Sequence, residues 1–301
     1  MPTDPIGTEI AEGSVAPAVD LSGKVAVVTG ASRSIGKGIA LELGAAGATV
    51  YVTGRTVDPG AMPGTIGETA AEIDALGGVG VPVACDHKDD AQVKALFERV
   101  AAEQGHVDVL VNNVFPAPVL APWLGQKFWD LPIEAWDEIV GVGTRSHYVA
   151  SVHAAPLLFA AGGGLIVNVS SSGAVTYAHN VVYGVGKAAC DKMTADMAVE
   201  LEGTGVQVVS LWPGLVRTEM LDAAAVREGD EIYIELPGEG RFDLSNAESP
   251  RFLGRAVVAM AGDPGLAAKS GKPFTSAGLA RELGFTDTDG RIPEVLLRPD
   301  A

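Results

Sequence analysis

The chain of 301 residues carries a net charge of −17 at pH 7, and 47% of its residues are hydrophobic while 6% are aromatic. This length and composition fit a globular enzyme with a large core, and they exclude a disordered or fibrous chain. The acidic charge argues against nucleic acid or an anionic membrane as a general partner, because phosphate groups attract basic surfaces.

Residues 1–20 are acidic, with neither an apolar core nor a basic start, so they predict a flexible tail rather than a signal peptide. The longest apolar region, about 148–169, is broken by a histidine, a proline and three glycines, which argues against a membrane span. Cys85 and Cys190 lie far apart on apolar stretches, which favours buried free thiols over a disulfide. These features predict a cytoplasmic protein.

Short runs of β-branched residues alternate along the chain with longer segments rich in alanine and charge. They predict strands at 24–29, 49–53, 79–84, 107–111, 164–169 and 206–211, and helices at 35–46, 67–77, 89–104, 132–160, 183–202 and 250–261. This alternation predicts an α/β fold of the Rossmann type, a doubly wound parallel β-sheet with helices on both faces. No shift in composition marks a second domain, so residues 21–301 are predicted to form one.

Two segments interrupt the alternation. Residues 56–66 are rich in proline and glycine and predict a surface loop after the second strand. Residues 217–249 are charged and weakly periodic. They predict either a mobile flap over a cleft or a plain surface insertion.

The stretch TGASRSIG, residues 29–36, joins the first predicted strand to the first predicted helix. A glycine loop at such a junction directs free backbone N–H groups and the positive helix end toward an anion, which suits a dinucleotide pyrophosphate. Gly30 opens the turn, and Gly36 lets the helix and strand pack closely. Ser34 stands where such loops usually have glycine; it should weaken phosphate binding without abolishing it, because its N–H remains and its hydroxyl can donate.

The second predicted strand ends in VYVTGRT, which has no carboxylate to favour NAD(H). Arg55 from this strand and Arg33 from the glycine loop would instead pair with a 2′-phosphate. NADP(H) is therefore favoured, and NAD(H) stays possible. The alternative is that both arginines are solvated surface charges.

Tyr183 and Lys187 in YGVGK are four residues apart, so their side chains should share one helix face. A cation near a phenol favours the phenolate, which would let Tyr183 act as an acid or base closer to neutral pH than an ordinary phenol, whose pKa is about 10. The preceding strand ends in three serines, residues 170–172, at the sheet edge where α/β proteins bind ligands. A serine hydroxyl there can bond to a carbonyl oxygen that the tyrosine protonates.

Six motifs in order over about residues 21–285 resemble the short-chain dehydrogenase/reductase (SDR) family. They are the glycine loop, Asp86 after the third strand, VNN at 111–113, the serines, YGVGK and the Pro-Gly turn at 213–214. The stretches YGVGKAACDKM and SLWPGLVRTEML resemble the branch typified by dehydrogenase/reductase SDR family member one. The resemblance implies an oxidoreductase that interconverts a ketone or aldehyde and an alcohol by hydride transfer, and it implies a homodimer or homotetramer.

The resemblance also implies residue roles. Tyr183 would be the general acid/base, Lys187 would bind the nicotinamide ribose and lower the pKa of the tyrosine, and Ser171 would polarise the substrate oxygen, with Ser170 as the alternative. The implied cofactor-binding residues are Gly30, Ser32, Arg33, Ser34, Ile35, Gly36, Arg55, Asp86, His87, Asn112, Asn113, Tyr183, Lys187, Pro213, Gly214, Val216 and Thr218.

Within that set, Asp86 would face the adenine, Asn112 or Asn113 would support the cofactor from the fourth strand, and Val216 with Thr218 would meet the carboxamide. The cluster DHKDD that begins at Asp86 could resemble a metal site by composition. No HExxH or paired CxxC motif accompanies it, so we expect no metal and expect the later charges to open the next helix.

Two further departures concern the cleft. Gly143 stands where many SDR enzymes have an asparagine that supports a proton-relay water, and NNVF replaces the usual NNAG, so Phe115 should narrow the cleft. Val114, Phe115 and Tyr177 favour a small hydrophobic substrate. The rival hypothesis is a dinucleotide-binding sensor or interaction protein that has lost catalysis, as Ser34 and Gly143 would allow.

Overall fold

The structure is a computed structural model that describes residues 19–60, 62–229, 231–238 and 240–295. The predicted tail at 1–20 lies outside the described residues except for its last two positions. At the centre is a seven-stranded parallel sheet of order β10-β6-β5-β4-β1-β2-β3. Its strands are β1 (Val25–Val28), β2 (Thr49–Gly54), β3 (Val79–Ala84), β4 (Val109–Asn112), β5 (Gly164–Val169), β6 (Val206–Trp212) and β10 (Pro273–Thr275).

Helices cover both faces of this sheet, as the alternation predicts. They are α1 (Ser34–Ala45), α2 (Ile66–Ala75), α3 (Asp90–Gln104), α4 (Ala117–Leu120), α5 (Glu134–Val140), α6 (Ser146–Ala160), α7 (Val181–Glu200), α8 (Glu219–Ala224), α9 (Pro250–Ala261) and α10 (Ser276–Leu283). Side chains of β1 alternate between two cores, with Val25 and Val27 packed on the α3 and α6 side and Ala26 and Val28 on the α1 and α9 side. The Rossmann-type prediction is therefore confirmed.

The order of the strands places the candidate site. β1 pairs with β2 on one side and with β4 on the other, so the chain reverses direction across the sheet at β1. Ligands of α/β proteins bind at the carboxyl ends of the strands at such a switch point. The glycine loop follows β1, and VNN ends β4, so both motifs meet at this edge.

Side-chain caps fix where several helices begin. The carboxylate of Asp89 accepts from the N–H groups of Ala91 and Gln92 and caps α3, as the interpretation of DHKDD predicts. The Asn180 side chain accepts from the N–H of Tyr183 at 3.0 Å and begins α7. An amide cap here fixes the first turn of the helix that carries the tyrosine.

The segment 217–249, predicted to be a mobile flap or a plain surface insertion, contains regular secondary structure. After α8 it forms an antiparallel sheet of β7 (Val226–Glu228), β8 (Glu231–Leu236) and β9 (Gly240–Asp243). Ile234, Leu244 and Ala247 make a small core of their own beneath it. Charged residues and glycines interrupt the apolar pattern of these strands, so the sequence does not predict them.

Three other features depart from the predictions. The helix predicted over 132–160 contains a π-helical turn, Gly141–Arg145, between α5 and α6. Neither the short edge strand β10 nor α10 was predicted. The three residues of β10 begin with proline and show no alternation of apolar and polar side chains. Cys85 and Cys190 are buried free thiols, as predicted. Within the described residues no helix is long and apolar enough to cross a membrane.

Candidate active site

A serine and a tyrosine meet at the carboxyl end of β5. The Ser171 Oγ lies 2.8 Å from the Tyr183 hydroxyl and also accepts from the N–H of Gly173. The neighbouring Ser170 is buried beneath the site, where its hydroxyl donates to the backbone carbonyl of Lys187 at 3.3 Å. Ser171 is therefore the serine that the fold brings to the phenol.

Lys187 lies on the same helix as Tyr183, one turn further on, and only 6% of it is exposed. Its Nζ donates to the carbonyl of Val169 at 3.2 Å and lies 5.8 Å from the centre of the Tyr183 ring. Burial lowers the pKa of this ammonium group. A positive charge at this position favours the ionised form of the phenol above it.

Two aromatic rings enclose Tyr183. The Phe115 ring stands edge-on to it at a centroid distance of 5.7 Å, and the His179 ring does so at 4.6 Å. Sequence reasoning placed Phe115 near the cleft but missed His179 and the Asn180 cap. The signal was the AHN triplet before VVYGVGK, since an asparagine three residues before a tyrosine on a helix is a recognisable cap.

The glycine loop has the backbone that a close-packed phosphate turn needs. Gly30 has φ +66°, and a Cβ added at Gly36 would lie 2.3 Å from the carbonyl oxygen of Gly30. The Asn113 amide donates to the carbonyls of Thr29 and Gly30 at 3.0 and 3.1 Å. Asn112, by contrast, is fully buried and donates into the core, to the Asn168 side chain. Of the two asparagines, Asn113 is thus the one that holds the loop.

Ser34 already binds an anion, the carboxylate of Glu219 at the start of α8. Its N–H donates to Glu219 Oε1 at 3.0 Å, and its hydroxyl donates to Oε2 in a short hydrogen bond. Burial alone would raise the pKa of Glu219, but the hydrogen bonds from Ser34 hold it below its ordinary value. The first turn of α1 therefore accepts a negative oxygen pair, which is what a dinucleotide pyrophosphate presents. Sequence reasoning missed Glu219, which lies 185 residues from Ser34.

The two arginines have different surroundings. Arg33 donates to the carbonyls of Pro63 and Gly64 at 2.9 Å, so it fastens the predicted 56–66 loop. Arg55 is two-thirds exposed, with Asp86 at 4.0 Å. Arg33 thus has partners in the 56–66 loop while Arg55 faces solvent, and the binding of a 2′-phosphate by both arginines stays a prediction.

His87, which follows Asp86, lies beneath the surface rather than at it. Its Nε2 lies 2.8 Å from the Thr53 hydroxyl, and only 5% of the residue is exposed. Burial lowers the pKa of the imidazole to about 4, so the ring is neutral at pH 7. Its part in cofactor binding stays a prediction.

The Pro-Gly turn after β6 is held by a buried carboxyl group, Glu248, that sequence reasoning also missed. The backbone of Glu248 donates to the carbonyl of Leu215 and accepts from the N–H of Arg217, at 2.7 and 2.8 Å. Its side chain accepts from the hydroxyl of Ser276 at 2.5 Å and from the N–H of Gly214. Burial raises the pKa of Glu248 to about 7. Glu248 therefore holds in place the segment after Pro213, which is predicted to meet the nicotinamide carboxamide.

The other predicted residues of this segment have structural contacts. Thr218 caps α8 by accepting from the N–H of Leu221 at 3.2 Å, and its own N–H donates to the carbonyl of Val216. Within the described residues, no group of three or more His, Cys, Asp or Glu side chains is placed to hold a metal ion.

Comparison with known proteins agrees with this geometry. Residues 24–228 match the family model described as short chain dehydrogenase. The chain is 49% identical over 276 residues to Dehydrogenase/reductase SDR family member 1 of Mus musculus, and the match covers 90% of this chain and 85% of the mouse protein.

Solved structures are similar as well. One is a metagenomic short-chain oxidoreductase in complex with NADP, at 28% identity and a TM-score of 0.65, which covers 85% of this chain and 96% of that one. Another is a 7α-hydroxysteroid dehydrogenase complexed with NADH and 7-oxo glycochenodeoxycholic acid, at 25% identity and a TM-score of 0.69, which covers 86% of this chain and 94% of that one.

Proposed function

The chain belongs to the short-chain dehydrogenase/reductase family, and from that premise we propose that it interconverts a small ketone or aldehyde and the matching alcohol with NADP(H). The observation that carries the proposal is the 2.8 Å contact between the Ser171 and Tyr183 hydroxyls beside the buried Lys187. This arrangement offers a hydrogen bond and a proton to one oxygen atom.

A bound dinucleotide would supply the hydride chemistry at the substrate carbon. The residues of the chain act on the substrate oxygen. In reduction Ser171 donates a hydrogen bond to the carbonyl oxygen, and the Tyr183 hydroxyl gives its proton to the same atom. The charge of Lys187 stabilises the phenolate that remains, and in oxidation Tyr183 takes the proton back.

The cofactor would be held by the residues whose backbone or side chains surround the switch point. The turn Gly30–Gly36, fastened by Asn113, would take the pyrophosphate, and the segment after Pro213 would meet the nicotinamide end. The exposed guanidinium of Arg55 supports a preference for NADP(H), since a guanidinium pairs well with phosphate.

The surroundings of the site support a hydrophobic substrate and a second subunit. Phe115, Trp123, Leu124, Leu131, Leu120, Ile139, Val140 and Val182 form an apolar cluster with Tyr183. On the outer helix faces, Trp136, Val152 and Val185 are exposed apolar side chains, which suit the contact of a homodimer or homotetramer. The two buried free thiols fit a cytoplasmic location.

The Ser34–Glu219 contact favours one alternative, a dinucleotide-binding sensor without turnover, because the carboxylate competes for the phosphate turn. Titration of the purified protein with NADPH and NADH, followed by intrinsic fluorescence, tests the cofactor proposal. A clear preference for NADPH supports it, and binding of neither refutes it.

Turnover with a panel of ketones and aldehydes then separates the enzyme from the sensor. The Tyr183→Phe variant should lose about 10²–10⁴-fold in kcat, because it lacks the proton donor, while its affinity for NADPH is retained. Tyr148→Phe, at an exposed position on α6, is the matched control. Full turnover by Tyr183→Phe would disprove the assignment of this residue.

A further inference from the structure

The ring of Phe115 lies between three residues that the sequence keeps far apart. Its centroid is 4.6 Å from the Lys187 Nζ, and its plane stands perpendicular to that of the Tyr183 ring. The ring also covers Gly143, where an added Cβ would lie 2.8 Å from the ring carbon Cδ2. The ring therefore contacts both the proposed acid/base pair and the π-helical turn.

Lys187 needs a partner for its charge because it is buried. Its hydrogen bond to the Val169 carbonyl uses one of the three N–H groups of the ammonium. The nearest acidic side chain on its own helix, Asp191, partly opposes the effect of burial on the pKa of Lys187 by its charge, and it also accepts from the Trp212 indole at 3.1 Å. The face of an aromatic ring within about 6 Å stabilises such a cation most where water is excluded. The Phe115 ring meets that condition.

The other titratable groups that face Lys187 do not carry a compensating charge. Cys190 on α7 is a buried thiol whose pKa is raised to about 11 by burial. His147 on α6 is neutral, because burial and the charge of Lys187 lower its pKa to about 3. Tyr183 itself is the group whose ionised form the ammonium stabilises. The contact with Phe115 is therefore the main aromatic contribution to keeping Lys187 charged.

We propose that Phe115 is a positioning residue whose ring holds the ammonium of Lys187 beside Tyr183, and that Gly143 is required because only a residue without Cβ admits the ring. The role given to Lys187 and Tyr183 rests on the proposed function. The proposal adds that two positions which look like separate departures from the family pattern form one unit.

The test measures the ionisation of Tyr183 directly, without substrate or cofactor. Ultraviolet absorbance is titrated with pH for each protein and for the same protein carrying Tyr183→Phe, and the difference isolates the phenolate of this residue. In Phe115→Leu, which keeps an apolar side chain but removes the ring face, the midpoint should rise by about one pH unit. The exposed Phe159→Leu on α6 is the control and should leave the midpoint unchanged.

A second variant tests the partnership with Gly143. Gly143→Ala places a methyl group against the ring and should move the midpoint in the same direction. Because the alanine acts by displacing the ring, the double variant Phe115→Leu/Gly143→Ala should shift the midpoint no further than Phe115→Leu alone. This non-additivity is a result that general loosening of the fold would not produce. Gly143→Ala also keeps the proposal testable if Phe115→Leu does not fold.

Activity gives an independent readout. The limb of the kcat profile that reports Tyr183 should move to higher pH by the same amount as the absorbance midpoint, with little change in KM. Turnover with an unmoved midpoint in a folded Phe115→Leu protein overturns the inference. A shifted midpoint without turnover of any carbonyl compound supports the inference and refutes the proposed function instead.

Discussion

Replacing Glu248 with glutamine should make the stability of the protein less dependent on pH. Burial raises the pKa of this carboxyl from 4.5 to about 7. The folded protein therefore binds more protons than the unfolded chain between these values. The stabilising contribution of the group is fully present below pH 4.5 and is lost as the pH rises through about 7, since the native state must then keep a buried charge.

The magnitude follows from the same two values. Each unit of difference in pKa is 1.36 kcal/mol, so the parent protein should lose on the order of 3 kcal/mol of unfolding free energy from this one group between about pH 4.5 and pH 8. Glutamine keeps a carbonyl oxygen for the Ser276 hydroxyl and the N–H of Gly214 but does not titrate. Its unfolding free energy should therefore lack this part of the pH dependence.

Urea unfolding followed by circular dichroism at pH 4.5 and at pH 8 measures the effect. The quantity of interest is the change in unfolding free energy between the two pH values, compared between the parent and Glu248→Gln. Glu200→Gln, at an exposed position near the end of α7, controls for the loss of one carboxylate. If Glu248→Gln and the parent lose the same free energy, the carboxyl is already charged in the fold and the reasoning from its burial is wrong.

Two further predictions concern the cofactor. Glu219→Gln removes the negative charge that is bound to Ser34, so its affinity for NADPH in a fluorescence titration should rise about ten-fold over that of the parent protein. Asp222→Asn on the same helix is the control and should change the affinity little. Equal affinities for the parent and both variants would show that the Glu219 carboxylate does not compete with the cofactor. Arg55→Ala removes the exposed guanidinium, so the preference for NADPH over NADH should fall by roughly 10–100-fold in the same assay. Arg281→Ala on α10 is the control. An unchanged preference in Arg55→Ala would show that Arg55 does not bind the 2′-phosphate.

The sequence predicts those parts of the fold that depend on patterns of residues close together in the chain. The buried run of β1, the Asp89 cap and the four-residue spacing of Tyr183 and Lys187 each depend on neighbours in the chain. The meander after α8 was missed because charged residues and glycines interrupt its apolar pattern, and the edge strand β10 was missed because its three residues depend on pairing with β6. Length alone does not separate the predicted strands from the missed ones, since β1 has four residues and β8 has six.

The sequence alone does not decide whether Ser170 or Ser171 faces the phenol of Tyr183. Both follow the same strand, and their spacing from Tyr183 differs by a single residue. Successive side chains at the end of an extended strand point to opposite sides, so only one of two adjacent serines can face the phenol. Which one does depends on how β5 sits in the sheet, and that is fixed by its pairing with β4 and β6 rather than by the serines themselves.

Two departures from the family pattern, Ser34 and Gly143, can be interpreted only with the structure. Taken singly in the sequence, Ser34 and Gly143 each look like decay of a cofactor or proton-relay site. In the fold each has a specific partner: Ser34 donates twice to Glu219, and Gly143 makes room for the ring of Phe115. Each of these two departures is therefore matched by a contact with a residue far away in the chain. The two pairs have opposite consequences. The carboxylate of Glu219 competes with a phosphate for the Ser34 turn, as the sensor would require, whereas the ring of Phe115 lies beside the proposed acid/base pair and favours a working oxidoreductase.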